Sequence, residues 1–134
     1  MLFIRCQFCH KLVFRPFYKR HRAKHTTRLA DGQMTDHISV HPSGRYQGPL
    51  DDVPRSYVHS VCGGGTGMPE EIIRSYLVNP FLYSDHSFCC GCNDYVSKSE
   101  LFWQETGESL ADYDEGLRQE YLRKYGEPPP EKFV

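Results

Sequence analysis

The chain has little from which to build a large apolar interior. Hydrophobic residues make up 39% of its 134 positions and there is a single tryptophan, so a structure of this size calls for additional cross-links. No apolar run approaches the length of a membrane-spanning helix, and Met1-Leu2-Phe3-Ile4 is followed at once by Arg5 and Cys6, not by the apolar core of a signal peptide. The expectation is a cytoplasmic chain with no membrane partner. Acid is missing from the first 30 residues, which carry eight Lys or Arg and no Asp or Glu. The remainder holds 8 bases against 17 acids, so a net charge of −1 conceals a basic head on an acidic body. Such a head either meets an anionic partner or docks on its own body. Several catalytic patterns are absent too. There is no His-Glu-x-x-His. His59 is followed by Ser60 and Val61, and Ser87-Phe88 precede Cys89, which fails the His-x-Glu and Pro-Cys-x-x-Cys pattern of zinc deaminases. The glycine-rich run Gly63-Gly64-Gly65-Thr66-Gly67 has no Lys-Ser or Lys-Thr after it, and Glu70 and Glu71 in the following helical turn would repel a phosphate.

What is present is a set of paired metal ligands. His59-Ser60-Val61-Cys62-Gly63 and Cys89-Cys90-Gly91-Cys92-Asn93 each offer two ligands separated by two residues, followed by Gly or Asn, which tolerate a left-handed backbone. Two such knuckles supply the four ligands of a closed tetrahedral site, and His59, Cys62, Cys89 and Cys92 are the expected set. Cys90 is left as a spare thiol, although its position beside Cys92 leaves open whether it or His59 is the fourth ligand. In a chain without a secretory signal, this spacing favours zinc over disulfides.

A second set lies in the basic head. Cys6 and Cys9 form a knuckle, and His21 and His25, four apart, share one helical face. Eleven residues separate Cys9 from His21. Residues 3–28 resemble the two-Cys two-His zinc finger family, whose gap is about twelve. The resemblance implies a ββα finger holding one Zn²⁺, with Phe14 and Tyr18 as candidates for its small core and Pro16 in the first helical turn. Lys19, Arg20, Arg22, Lys24 and Arg28 surround the histidines and are candidate contacts to phosphates. One finger spans only about 3 base pairs and has no tandem copy here, so backbone or shape contacts are expected, not sequence reading. An acidic protein is the alternative partner for the same face.

Residues 31–55 read as an irregular arm, with Asp31-Gly32 stopping the first helix and a short strand near 37–41. Tyr57-Val58 reads as a strand. Pro69 starts a helix whose stripe is Ile72, Ile73, Tyr76 and Leu77, and Asn79-Pro80 ends it. Tyr95-Val96 and Leu101-Phe102-Trp103 read as a hairpin around Ser97-Lys98-Ser99 that joins Tyr57-Val58 in one antiparallel sheet. Ser109 caps a last helix whose stripe, Leu110, Tyr113, Leu117, Tyr121 and Tyr125, is expected to lie on the sheet, and Gly126 ends it before Pro128-Pro129-Pro130. The tail from 128 is expected to be mobile, and its residues 131–134 lie outside the described structure. Residues 56–104 resemble a zinc ribbon of the rubredoxin-like kind with a helix inserted between its knuckles. The expected fold is a small, metal-stabilised α+β chain: basic finger 1–30, arm 31–55, ribbon-like domain with C-terminal helix 56–127, and tail 128–134.

Two complete four-ligand sites leave no open position for substrate, so the function expected is binding, not catalysis, with two Zn²⁺ as cofactors. One enzyme reading stands beside it. Asp36-His37-Ile38 resembles the start of the HNH nuclease motif, with Cys6, Cys9, Cys89, Cys92 and Asn93 resembling that family's structural zinc site. This resemblance would make His37 the general base and Asn79 the middle Asn. Arg45 is a candidate anion contact. The three functional alternatives are therefore a nucleic-acid-associated zinc module, a protein-interaction adaptor and an HNH-like nuclease.

Overall fold

The chain begins as a small hairpin. Strand β1 (Phe3–Arg5) pairs antiparallel with β2 (Leu12–Phe14), and the turn between them carries both cysteines of the first knuckle. A 3-10 turn over Arg15–Phe17, with Pro16 in its opening position, leads into helix α1 (Tyr18–Thr26). The helix ends at Thr27, short of Asp31-Gly32. The Thr26 and Thr27 hydroxyls both donate to the Ala23 carbonyl, at 3.4 and 3.1 Å, and local side-chain bonding of this kind competes with helix propagation. The computed structural model describes residues 2–130.

The strand expected near 37–41 does not form. Its backbone groups find partners other than a neighbouring strand: Ser39 N–H donates to the Gln7 carbonyl (3.0 Å) and Val40 N–H to Ser75 Oγ (2.9 Å), while Arg45 Nε donates to the Val40 carbonyl (2.8 Å). The segment links the N-terminal hairpin to the body, and its Ser39 and Val40 are buried.

The body holds two sheets, not the one expected. Strand β3 (Ser56–His59) is central, flanked by β4 (Gly65–Gly67) and β7 (Leu101–Trp103). Strands β5 (His86–Cys89) and β6 (Asp94–Ser97) form a separate hairpin. Tyr95-Val96 and Leu101–Trp103 are thus in different sheets. Lys98–Glu100 makes a single 3-10 turn, with Ser97 Oγ accepting from Ser99 N–H, which carries the chain from one sheet to the other. Lys98 itself is buried, donating its ammonium to Asp114 at 2.7 Å, a pairing with the last helix that no short-range pattern encodes.

Helix α2 (Glu70–Tyr76) and helix α3 (Leu110–Tyr125) complete the three α-helices of the described residues. Ser109 Oγ accepts from Asp112 N–H at 3.0 Å to cap α3, and Gly126, at φ 82°, ends it. Two apolar clusters form the interior. Tyr57, Leu101, Trp103 and Leu110 make one, Leu50, Ile73 and Tyr76 the other. Tyr113 joins them, its ring edge-on to both Trp103 and Tyr76. The α3 stripe does pack inward from Leu110 to Leu117, and Tyr121 meets Phe81 edge-on, while Tyr125 is exposed. Among the described residues no helix is long and apolar enough to cross a membrane.

The head is not separate from the body. Arg28 pairs with Asp94 at 2.9 Å and lies over the Tyr95 ring, and Tyr95 Oη accepts from Met34 N–H at 3.1 Å. The turn around Gly32 packs on the backbone of Asn93, so the loop after α1 docks on the second half of the body's own knuckle pair.

Candidate metal centres

Three short turns carry six of the eight candidate ligands and share one backbone design, while His21 and His25 stand one turn apart on α1. In each, the residue after the second ligand returns an N–H to the carbonyl four residues back: His10 to Cys6 (2.8 Å), Gly63 to His59 (2.8 Å) and Asn93 to Cys89 (2.9 Å). These same three residues have left-handed φ values of 66°, 73° and 55°. The reversal aims the amides of the turn at sulfur. Phe8 N–H lies 3.4 Å from Cys6 Sγ, and Gly64 N–H lies 3.3 Å from Cys62 Sγ.

Cys6, Cys9, His21 and His25 form one group and His59, Cys62, Cys89 and Cys92 another, each with its ligand atoms within 4.8 Å of one another. All six cysteines are free thiols. In the first group His21 Nε2 stands 3.3 Å from both Cys9 Sγ and His25 Nε2. In the second, His59 Nδ1 stands 3.3 Å from Cys92 Sγ and 3.6 Å from Cys89 Sγ, and Cys62 Sγ is 3.5 Å from Cys89 Sγ. A tetrahedron with bonds of about 2.0–2.3 Å to N and S has edges of roughly 3.3–3.8 Å, and these separations match it.

The other ring nitrogen of a histidine in each group meets a carboxylate. His25 Nδ1 is 2.8 Å from Asp36 Oδ2, and His59 Nε2 is 2.9 Å from Glu100 Oε1. A carboxylate behind an imidazole fixes its tautomer and turns the free lone pair towards the ion. Neither carboxylate was legible in the sequence as a partner of these histidines, Asp36 having stood out only beside His37, because Asp36 and Glu100 lie 11 and 41 residues from them and follow no ligand spacing. Loss of this outer contact is expected to weaken the second site without dismantling it. Glu100→Ala should lower metal affinity about 10–100-fold in a competitive chelator titration, and an unchanged affinity would exclude the orienting role.

The thiols of the second group are unevenly poised. The Gly64 N–H, chiefly, draws the Cys62 thiol down to about 7, whereas Cys92, hydrogen-bonded to Cys62 and close to Cys89, is pushed up. Three neighbouring sulfurs cannot all ionise against one another unless a positive charge sits between them. The Glu100 carboxylate, followed by Cys62, holds His59 above its ordinary pKa. In the first group burial, then the nearby His25, lowers His21 and favours the neutral imidazole that a metal requires.

Small residues set the closeness of the second pair of knuckles. A Cβ on Gly91 would lie 2.6 Å from Cys62 Sγ, and one on Gly64 would lie 2.8 Å from the Gly91 Cα. The glycine run continues into an edge strand, β4, from a point where two backbones nearly touch. Cys90 is outside the group: it is exposed, and its N–H donates to Thr66 Oγ1 at 3.0 Å. His59, not Cys90, completes the set.

The remaining sequence candidates are distributed as follows. Phe14 is not finger core. It is exposed, while Phe8 stacks on His25 with ring centroids 5.0 Å apart and planes 7° from parallel. Tyr18 is half-buried. Lys19, Arg20, Arg22 and Lys24 are exposed on α1, a helix with no buried residue, and Arg22 also lies over Phe8. Arg28 is engaged by Asp94. The four cysteines that the nuclease resemblance would join fall in two groups. Asp36 serves His25, His37 pairs with Glu71 at 2.9 Å, and Asn79 is buried in the turn after α2, where its Oδ1 accepts from Phe81 N–H. Arg45 is held by Val40 and Ser39. No family model, curated protein or solved structure matches the chain.

Proposed function

We propose that the chain is a non-catalytic module that binds two Zn²⁺ and associates with nucleic acid through its basic N-terminal finger. The observation that carries the metal reading is the doubled one: two four-ligand groups, each closed, each with one histidine backed by a carboxylate. Four protein ligands leave no site for water or substrate, which is the arrangement of a structural ion. Zinc suits a mixed thiolate and imidazole set of this size better than the oxygen-seeking Mg²⁺ or Ca²⁺. On this reading the residues 56–104 unit is a ribbon built around the second ion.

The nucleic-acid reading rests on charge. The finger has no acid with which to neutralise its eight bases, and α1 turns Lys19, Arg20 and Lys24 outward. Arg20 and Lys24, one turn apart, share a side of the helix and suit the spaced charges of a phosphate backbone. Such binding releases counterions, so its strength falls steeply with salt. Arg20→Gln with Lys24→Gln is expected to weaken binding to any oligonucleotide and to reduce the slope of log affinity against log salt by about 2 units, one per lost contact. Binding insensitive to ionic strength, in filter retention from 50 to 200 mM salt, would reject phosphate recognition.

A further inference from the structure

The outer face of the N-terminal hairpin is built contrary to the usual economy of a small domain. In strand pairing, Phe3 is opposite Phe14, and Arg5 is opposite Leu12, so these four side chains project from one face. None is buried. Phe3 is 48% exposed, Phe14 40% and Leu12 61%. The opposite face, with Ile4 and Val13, is the half-buried one. Phe17, at the entry to α1 and 54% exposed, extends the row, since its ring lies 5.9 Å from Phe14, which lies 5.6 Å from Phe3. The planes are tilted by 48° and 53°, so the rings do not cover one another's faces. Exposed apolar surface gathered in one place, in a chain with so few apolar residues, marks a contact surface.

The charge around the row selects its partner. Arg5 shares the face, Lys11 adjoins Leu12 and Lys19 follows in the first turn of α1, and the whole finger contains no acid. Aromatic rings interleaved with cations are what an unpaired nucleic-acid strand requires: a π-face for each base and a positive charge for each phosphate. A duplex offers its phosphates but keeps its bases stacked on each other, so it cannot use the rings. We propose that Phe3, Phe14 and Phe17 form a stacking platform for the bases of single-stranded nucleic acid, with Arg5, Lys11 and Lys19 along its backbone. This rests on the nucleic-acid reading above and adds which form of nucleic acid the finger takes and through which surface.

The test uses the zinc-loaded full chain and fluorescein-labelled 12-nucleotide probes, an oligo-uridine, an oligo-thymidine and a 12-base-pair duplex, read by anisotropy at two salt concentrations. Phe14→Leu and Phe3→Leu keep an apolar side chain and remove the ring. Because both positions are exposed, zinc content and Trp103 fluorescence should be unchanged. The expected result is single strand bound more tightly than duplex, a loss of roughly tenfold per ring removed on the single strand, and an unchanged salt slope and duplex affinity. Equal binding of both forms with no effect of either variant would overturn the platform while leaving the basic-finger reading intact. No binding of any probe at low salt would overturn both. Two further results would also overturn the platform: ring-dependent binding to vesicles containing anionic lipid with none to the oligonucleotides, or ring-dependent dimerisation in sedimentation.

Discussion

Cys89→Ser is expected to reduce bound zinc from two equivalents to one and to unfold the body of the protein. The Cys89 thiol is fully buried and lies within 3.6 Å of both Cys62 Sγ and His59 Nδ1, so no other side chain can take its place. A structural zinc contributes about 10–16 kcal/mol to the folding of small domains, more than the whole stability of most of them. The ligands also sit at the ends of the elements that need holding together: His59 ends β3 and Cys89 ends β5. Loss of an ion held there is therefore expected to loosen the central sheet from the second hairpin. Trp103, the single tryptophan, pairs with Tyr57 in that sheet and is 1% exposed, so its emission should move towards the solvent-exposed value. Cys6→Ser is the counterpart. It should lose the other equivalent and leave Trp103 buried. Two tightly held equivalents in Cys89→Ser, measured by metal analysis after gel filtration, would remove the second centre from the account.

Gly32→Ala is expected to lift the loop after α1 off the body while both metal equivalents stay bound. Gly32 has φ 90°, where an L side chain alone costs about 1–2 kcal/mol. Its Cβ would also fall 2.0 Å from the Asn93 carbonyl oxygen, an overlap with rigid backbone that only movement can relieve. The sum, about 3 kcal/mol or more, exceeds what the exposed Arg28–Asp94 pair and the Met34–Tyr95 hydrogen bond can retain. The expected readout is faster amide exchange at Met34, with unchanged zinc stoichiometry. An alanine variant as protected as the parent at that amide would show that the Gly32 turn does not hold the loop on the body.

The same docking bears on the charge distribution. Of the two outcomes that a basic head on an acidic body left open, docking on its own body is seen at Arg28. Arg28 is turned inward to Asp94, while Lys19, Arg20 and Lys24 face outward. On the proposed nucleic-acid reading, an N-terminal hairpin and helix docked on the body would present those residues, and the aromatic hairpin face, already in place. Preorganisation of this kind lowers the ordering cost of binding.

The sequence by itself determined the pairs of candidate ligands, while the joining of His59 and Cys62 to Cys89 and Cys92, to the exclusion of Cys90, came from the fold. Cys-x-x-Cys and His-x-x-Cys spacing fixes a reverse turn, and i, i+4 histidines fix a helical face, so local geometry alone brings ligands together in pairs. It also determined where α2 and α3 would lie, through Pro69, the Ser109 cap and Gly126. Everything that depends on residues distant in the chain was decided by tertiary structure. Strand partners belong here: β7 pairs with β3 and not with its chain neighbour β6, and the turn between β6 and β7 sends Lys98 inward to Asp114, 16 residues away. So do the roles of Asp36 and Glu100, which the fold sets behind His25 and His59 although nothing in their local sequence ties them to those residues. So does the exposure of Phe14, since an aromatic beside metal ligands reads as core, and only the packing of Phe8 on His25 takes that place from it. Short-range spacing can specify a coordination shell because the shell is a few ångströms across. It cannot specify what supports that shell or which face is left to meet a partner, because those are settled by how the remaining surfaces compete for burial.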